Sequence, residues 1–256
     1  MDGYGGDQIR AAERPHLDAG EPLMQRAADG LAAIVGALLD DPAERPGDGP
    51  GTVLLLVGSG DNGGDALFAG ARLAAAGRTV EVVQVGSRVH EAGMAAALEA
   101  GCSLLGGPSD SGTGASTAGA ADVLRAAVPS DADRLAELTT EAALRADLVL
   151  DGILGIGVSG ASALRSPARE CVHAIRELAR DQRAPFVVAV DVPSGIDVDT
   201  GGIADDHVLH ADVTVTFGGV KAGLLRGPAA TLAGRIELVD VGIAADLAAV
   251  EPLIRT

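Results

Sequence analysis

The residues able to do chemistry in this chain fall in four short runs. The first is GSGDNGGD, Gly58 to Asp65, in which Asp61 and Asp65 flank Asn62 and two glycines. A glycine-rich turn between an apolar strand and a helix aims backbone N–H groups at anionic ligand atoms. Gly58, Gly60 and Gly63 satisfy the dinucleotide-binding spacing literally. Two carboxylates beside a pyrophosphate repel it unless a cation intervenes, so the loop points to a nucleotide-like ligand accompanied by positive charge. The second run is Asp151 followed by GILGIGVSG, whose Gly152, Gly155, Gly157 and Gly160 permit close backbone approach to a ligand. The third is DVPSGIDVDTG, Asp191 to Gly201, and the fourth is FGGVKAGL, Phe217 to Leu224.

Asn62, Asp151 and Ser194 each offer oxygen in a turn with free carbonyls, a donor set that suits a hard cation. The plainer reading is turn and cap chemistry, which these residue types perform routinely. Asp191 follows the apolar run FVVAV. Partial burial there raises a carboxyl pKa, as a proton-transfer group needs; a loop-anchoring Asp is the alternative. Lys221 is the only lysine beside 18 arginines, retained for its compact point charge or surviving by chance. Cys102 and Cys171 lack motif spacing and read as buried or free thiols. His16, His90, His173, His207 and His210 show no zinc-ligand spacing.

These runs need elements to position them. Ile9 to about Leu39 reads as one helix, after a weakly structured start, MDGYGGD. Asp40 to Gly51 is a Pro- and Gly-rich connector. Strands are expected at 52–58, 79–85, 146–152, 186–192, 213–217 and 235–241, with helices to about Gly77, over 89–101, over 121–145 with a break near Pro129, and over 168–180. The low-complexity stretch Gly106 to Ala121 reads as a surface loop. Alternating strands and helices predict an α/β fold with a parallel sheet covered on both faces, plus an extra N-terminal helix. All four polar runs then lie at strand carboxyl ends, bordering one crevice. No long linker separates two cores, so residues 1–256 read as a single domain.

Composition excludes several functions. A formal net charge of -17 argues against nucleic-acid backbones and acidic membranes. Tyr4, Phe68, Phe186 and Phe217 are the only aromatic residues, too few for base-stacking platforms. Neither a secretory leader nor a membrane-spanning apolar run is visible, which predicts a cytoplasmic protein.

Taken together and in order, LMQRAA (23–28), GSGDNGGDAL, DGILGIGVSG with Arg165 and Pro167, AVDVPSGIDVDTG, and ADVTVTFGGVKAGLLRGPA resemble the NAD(P)HX epimerase family, or YjeF N-terminal domain. Members interconvert the R and S epimers of NADH and NADPH hydrated at C6. A separate or fused ADP- or ATP-dependent dehydratase acts on the S form. The resemblance implies a Rossmann-like three-layer α/β/α sandwich with a mostly parallel sheet, a homodimer, and one potassium ion per subunit. It implies that Asp61, Asn62, Gly63, Gly64 and Asp65 contact the cofactor. Gly155, Ile156, Gly157, Val158, Ser159, Gly160 and Ala161 would line the ligand, and Asp191 would contact the substrate. Asn62, Asp151 and Ser194 would hold potassium. Lys221, in the segment TFG-x-x-K-x-G, would neutralise ligand phosphate. Two departures stand out: Asp61 replaces a common Asn, and Gly155-Ile156-Gly157 replaces a frequent GTG.

Asp191 is then the candidate general acid–base group, since epimerising C6 by ring opening or by hydroxyl loss requires proton transfer. Two other classes remain to be weighed. A noncatalytic nucleotide-binding or scaffolding module would keep the glycine loops without needing Asp191. An NAD-linked dehydrogenase would need an acidic ribose ligand about 20 residues past the fingerprint. Glu81 has that spacing but falls mid-strand.

Overall fold

The computed structural model describes residues 1–41, 51–106, 132–157 and 160–256. Seven parallel strands form the central sheet: β2 (Thr52–Val57), β3 (Thr79–Gln84), β4 (Ser103–Leu105), β5 (Leu148–Gly152), β6 (Phe186–Val190), β7 (Val213–Phe217) and β8 (Arg235–Val239), in the order β4-β3-β2-β5-β6-β7-β8. Alternation of side chains divides β2 between two cores. Val53, Leu55 and Val57 pack with α2 (Leu23–Asp40), α3 (Asp61–Ala75) and α4 (Glu91–Glu99), whereas Leu54 and Leu56 pack with α5 (Ala132–Ala143) and α6 (Ala168–Arg180). This is the expected three-layer α/β/α sandwich, and it explains the unbroken apolar strands, which bury both faces.

Strand order reverses between β2 and β5, so the loops leaving them diverge and open a crevice. Gly58 and Gly63 are required here by contact. A Cβ on Gly58 would lie 1.9 Å from the Ile153 carbonyl oxygen, and one on Gly63 would lie 2.4 Å from that of Gly58. Gly58 therefore serves the close approach of the β2 and β5 ends, and Gly63 that of α3 to the end of β2.

The single N-terminal helix expected over 9–39 is two helices, α1 (Gly6–Asp18) and α2. Gly20 adopts φ +75 and Pro22 precedes α2, the stop-and-start pair that a helix cannot cross. Nor is the start weakly structured. β1 (Asp2–Gly3) pairs antiparallel with β9 (Ile254–Arg255), and Tyr4 exchanges backbone hydrogen bonds of 2.8 Å with Val220 and Ala222. The glycines there permit close packing: a Cβ on Gly3 would meet Ile254 at 2.6 Å. β4 and α7 (Ala244–Ala248) were also not read from sequence. The 106–121 loop beyond Gly106, most of the 40–51 connector and the first part of the 121–145 helix lie outside the described residues.

His16 clasps α1 to the C-terminal region. Its Nδ1 lies 2.8 Å from Glu21 and its Nε2 lies 3.0 Å from Asp246 on α7. Hydrogen bonds to Asp246 and Glu21 raise the imidazole above its ordinary 6.5. A raised folded-state value means the clasp contributes fully below about pH 6.5 and fades as pH rises through the folded value. His16→Gln should flatten the loss of thermal stability between pH 6 and 8; a Tm profile identical to the unsubstituted protein would exclude the clasp.

Candidate active site

A cavity of about 310 Å³ opens at the carboxyl ends of the strands, lined by Asp61, Asn62, Asp65, Ile156, Asp191 and Lys221 among others. Its floor is Asp191. β6 ends at Val190, two residues earlier than expected, and Asp191 turns the chain at φ +67. A left-handed backbone is uncommon outside glycine, although Asp tolerates it, and such outliers gather at functional sites. Asp191 Oδ1 accepts from Thr216 Oγ1 at 3.1 Å, from the Phe217 N–H at 3.2 Å and from Lys221 Nζ. Lys221 also donates to the Phe217 carbonyl at 2.9 Å and is 1% exposed. Its charge is thus committed to the cavity floor.

The three proposed cation ligands converge behind this floor. Asp151, the fourth residue of β5, is fully buried. It accepts from the Ser194 N–H at 2.9 Å, the Ser194 hydroxyl at 2.6 Å and, more weakly, the Ile153 N–H at 3.4 Å. Burial pushes its carboxyl up, and those donors partly offset the rise. The Leu154 N–H donates to Ser194 Oγ at 2.9 Å, while the Leu154 carbonyl accepts from Asn62 Nδ2 at 3.1 Å. Asn62 also donates to the Val190 carbonyl. Gly155 leaves room for this amide, since a Cβ there would lie 2.0 Å from Asn62 Oδ1. Side-chain and carbonyl oxygens around a buried carboxylate fit a hard cation.

The rest of the glycine loop is less concentrated. Ile156 lines the cavity, and its carbonyl accepts from Arg10 of α1. Gly157, Gly160 and Ala161 are exposed, the last two facing Asp197 and Gly202. Val158 and Ser159 lie outside the described residues. Gly63 and Gly64 are buried in the first turn of α3, Gly64 against His90 and Met24. Asp61 is exposed at the rim, and Asp65 is buried.

Glu13 was missed. It lines the cavity from α1. Burial raises its carboxyl above the ordinary value, Lys221 opposes that rise, and Asp191 and Asp61 add to it. Its signal was present: Ile9 and Ala12 are buried on α1, and Glu13 lies four residues beyond Ile9 on that face.

Elsewhere the chemistry is muted. A larger recess of about 870 Å³ lies among Asp147, Arg176, Arg180, Phe186 and His210, at the amino ends of β5 and β6. Ligands of parallel sheets bind at the other end. Asp205, Asp206 and His207 cluster within 4.8 Å, but Arg169 and Arg176 pair with the two aspartates. Cys102 and Cys171 are buried and free, their thiols pushed up to about 11 by burial, which leaves them unreactive. Glu81 sits within β3 with Arg145 at 3.1 Å, not at the crevice. No helix among the described residues is long and apolar enough to cross a membrane.

Known proteins resemble this chain in sequence and fold. The family described as YjeF-related protein N-terminus matches residues 20–223. A Clavibacter michiganensis protein named NAD(P)H-hydrate epimerase is 45% identical over 99% of this chain and 95% of its own length. A Microbacterium testaceum protein of that name is 45% identical over 94% of this chain and 78% of its own. The bifunctional NAD(P)H-hydrate repair enzyme Nnr of Mycobacterium tuberculosis is 38% identical over 94% of this chain, which spans 41% of that longer protein. The solved structure of yeast ynu0 shares the fold, with a TM-score of 0.63 and 18% identity over 87% of this chain and 83% of its own. On the match over residues 20–223 and the 45% identity along nearly its whole length, the chain belongs to the YjeF-related N-terminal family.

Proposed function

We infer that this chain is an NAD(P)H-hydrate epimerase, interconverting the R and S epimers of NADH and NADPH hydrated at C6. The observation that carries the reading is the Asp191–Lys221 pair at the floor of a crevice in a chain 45% identical to proteins so named. Asp191 is the proton-transfer group. Lys221, placed by sequence on ligand phosphate, is better read as a positioning residue, because its ammonium is buried against Asp191. Asp61 to Asp65 and Gly155 to Ala161 contact the cofactor. Asn62, Asp151 and Ser194, with the Leu154 carbonyl, hold a potassium ion. Bound there, the ion supplies a fixed positive charge beside the buried carboxylate and the anionic ligand.

The same reading includes a single domain, a cytoplasmic homodimer with one potassium ion per subunit, and an NAD(P)HX dehydratase as functional partner. The bifunctional name of the Mycobacterium tuberculosis relative supports that partnership.

Chiral chromatography of purified R-NADPHX incubated with the protein tests the reading. Conversion above the protein-free rate, faster in potassium than in choline, is expected. Ligand binding with no exchange of the epimers would favour a noncatalytic nucleotide-binding module. The cation site has a separate readout. Potassium at roughly tenfold its Kd should stabilise the fold by about 1.4 kcal/mol. Gly155→Ala should abolish that gain, because its Cβ displaces Asn62; an unchanged potassium-dependent rise in Tm would remove Asn62 from the site.

A further inference from the structure

The cavity holds two buried carboxyl groups in opposite surroundings. Asp191 is met by the Lys221 ammonium, the Thr216 hydroxyl and the Phe217 N–H. Asp65, in the first turn of α3, lines the same cavity at 6% exposure and has no hydrogen-bond donor among the described residues. Desolvation places its carboxyl well above the ordinary range; the charges of Asp191, Asp61 and Glu13 reinforce the shift, and Lys221 opposes it. A buried carboxylate without protein donors is costly, which favours the protonated, donating form of Asp65. Three donors meet one carboxyl group and, among the described residues, none meets the other, an asymmetry that divides proton acceptor from proton donor.

We propose that Asp65, on α3, is the proton donor and Asp191, after β6, the proton acceptor of the epimerisation. The assignment rests on the epimerase reading. In the ring-opening route the C6 hydroxyl gives its proton to the Asp191 carboxylate as its oxygen becomes a carbonyl. The C6–N1 bond breaks, its electron pair stays on N1, and N1 takes the proton of Asp65. Rotation about C5–C6 presents the other carbonyl face. N1 then attacks C6 and returns its proton to Asp65, while the oxygen recovers a proton from Asp191. Nothing is oxidised or reduced. Asp65 and Asp191 share one proton between them before and after, so the net charge of the pair is unchanged.

Asp65 faces Glu13 from α1, Asp61 from its own helix, Asp191 beyond β6, and Lys221. α2 contributes apolar Leu23, Met24 and Ala27. His90, at the start of α4, uses Nδ1 to accept from the Gly93 N–H. The wild-type kcat should therefore fall along an alkaline limb as Asp65 loses its proton. Asp65→Asn should lower kcat on the order of 10²–10⁴-fold, leave KM within about threefold, and abolish the alkaline limb. Glu13→Gln removes a like charge and should move that limb to lower pH without abolishing it. Asp65→Asn with wild-type kcat or an intact limb would overturn the proposal. So would Glu13→Gln abolishing the limb, which would hand the donor role to Glu13. Should Asp65→Asn not fold, Glu13→Gln alone decides, an unmoved limb counting against Asp65. A wild-type protein that fails to interconvert the epimers would instead defeat the epimerase reading.

Discussion

Asp191→Asn should lower epimerase turnover by about 10²–10⁴-fold, with KM nearly unchanged. Asn is the gentlest test because it matches Asp in size and tolerates the φ of +67 at this position. Its amide oxygen can still accept from Thr216 and Phe217, which donate to Asp191 Oδ1 at 3.1 and 3.2 Å. What it cannot do is take a proton at neutral pH or balance the Lys221 charge. Steady-state rates in both directions, with ligand binding followed by titration, separate the two losses. Interconversion at the wild-type rate would leave Asp191 a loop anchor, the plainer alternative its sequence context allowed.

Much of this site was legible because the sheet is parallel and buried on both faces. VLLLV and FVVAV announce such strands directly, and the polar residue ending each apolar run marks a strand end. Asn62, Asp151 and Ser194 follow or end β2, β5 and β6, which are neighbours in the sheet, so their convergence follows once the strands are placed. The Gly20–Pro22 break was written in the sequence but outweighed by continuous apolar spacing on either side. Glu13 had only its helical spacing from Ile9 to mark it, and the Asp191–Lys221 pair was beyond reach. Their partners come from elements that only the tertiary fold joins, and Glu13 belongs to a helix held by the N-terminal segment. That segment looked weakly structured because its glycines, required for close packing against Ile254 and Ala222, resemble those of a loose tail. β4, three residues long, and the two-residue β1 and β9 offer no period to detect.

Lys221→Met should destabilise the fold by about 3–5 kcal/mol, the cost of leaving one member of a buried ion pair without its partner. Both side chains are within 5% of full burial, so water cannot screen the carboxylate that remains. Asp191→Asn exposes the same penalty from the other side, as a buried ammonium facing a neutral amide. The combined Asp191→Asn/Lys221→Met variant removes both charges and restores apolar volume where the lysine stem lay. It should therefore be more stable than the sum of the single losses predicts, and the surplus is the coupling energy of the pair. Urea unfolding of the four proteins measures it, provided the m-values agree. Strict additivity would mean that the two groups do not stabilise one another. Turnover divides the roles differently from stability. If Lys221 acts by holding Asp191 in place, Lys221→Met must lower kcat while changing KM little. Loss of a lysine bound to ligand phosphate would instead raise KM and leave kcat nearly unchanged.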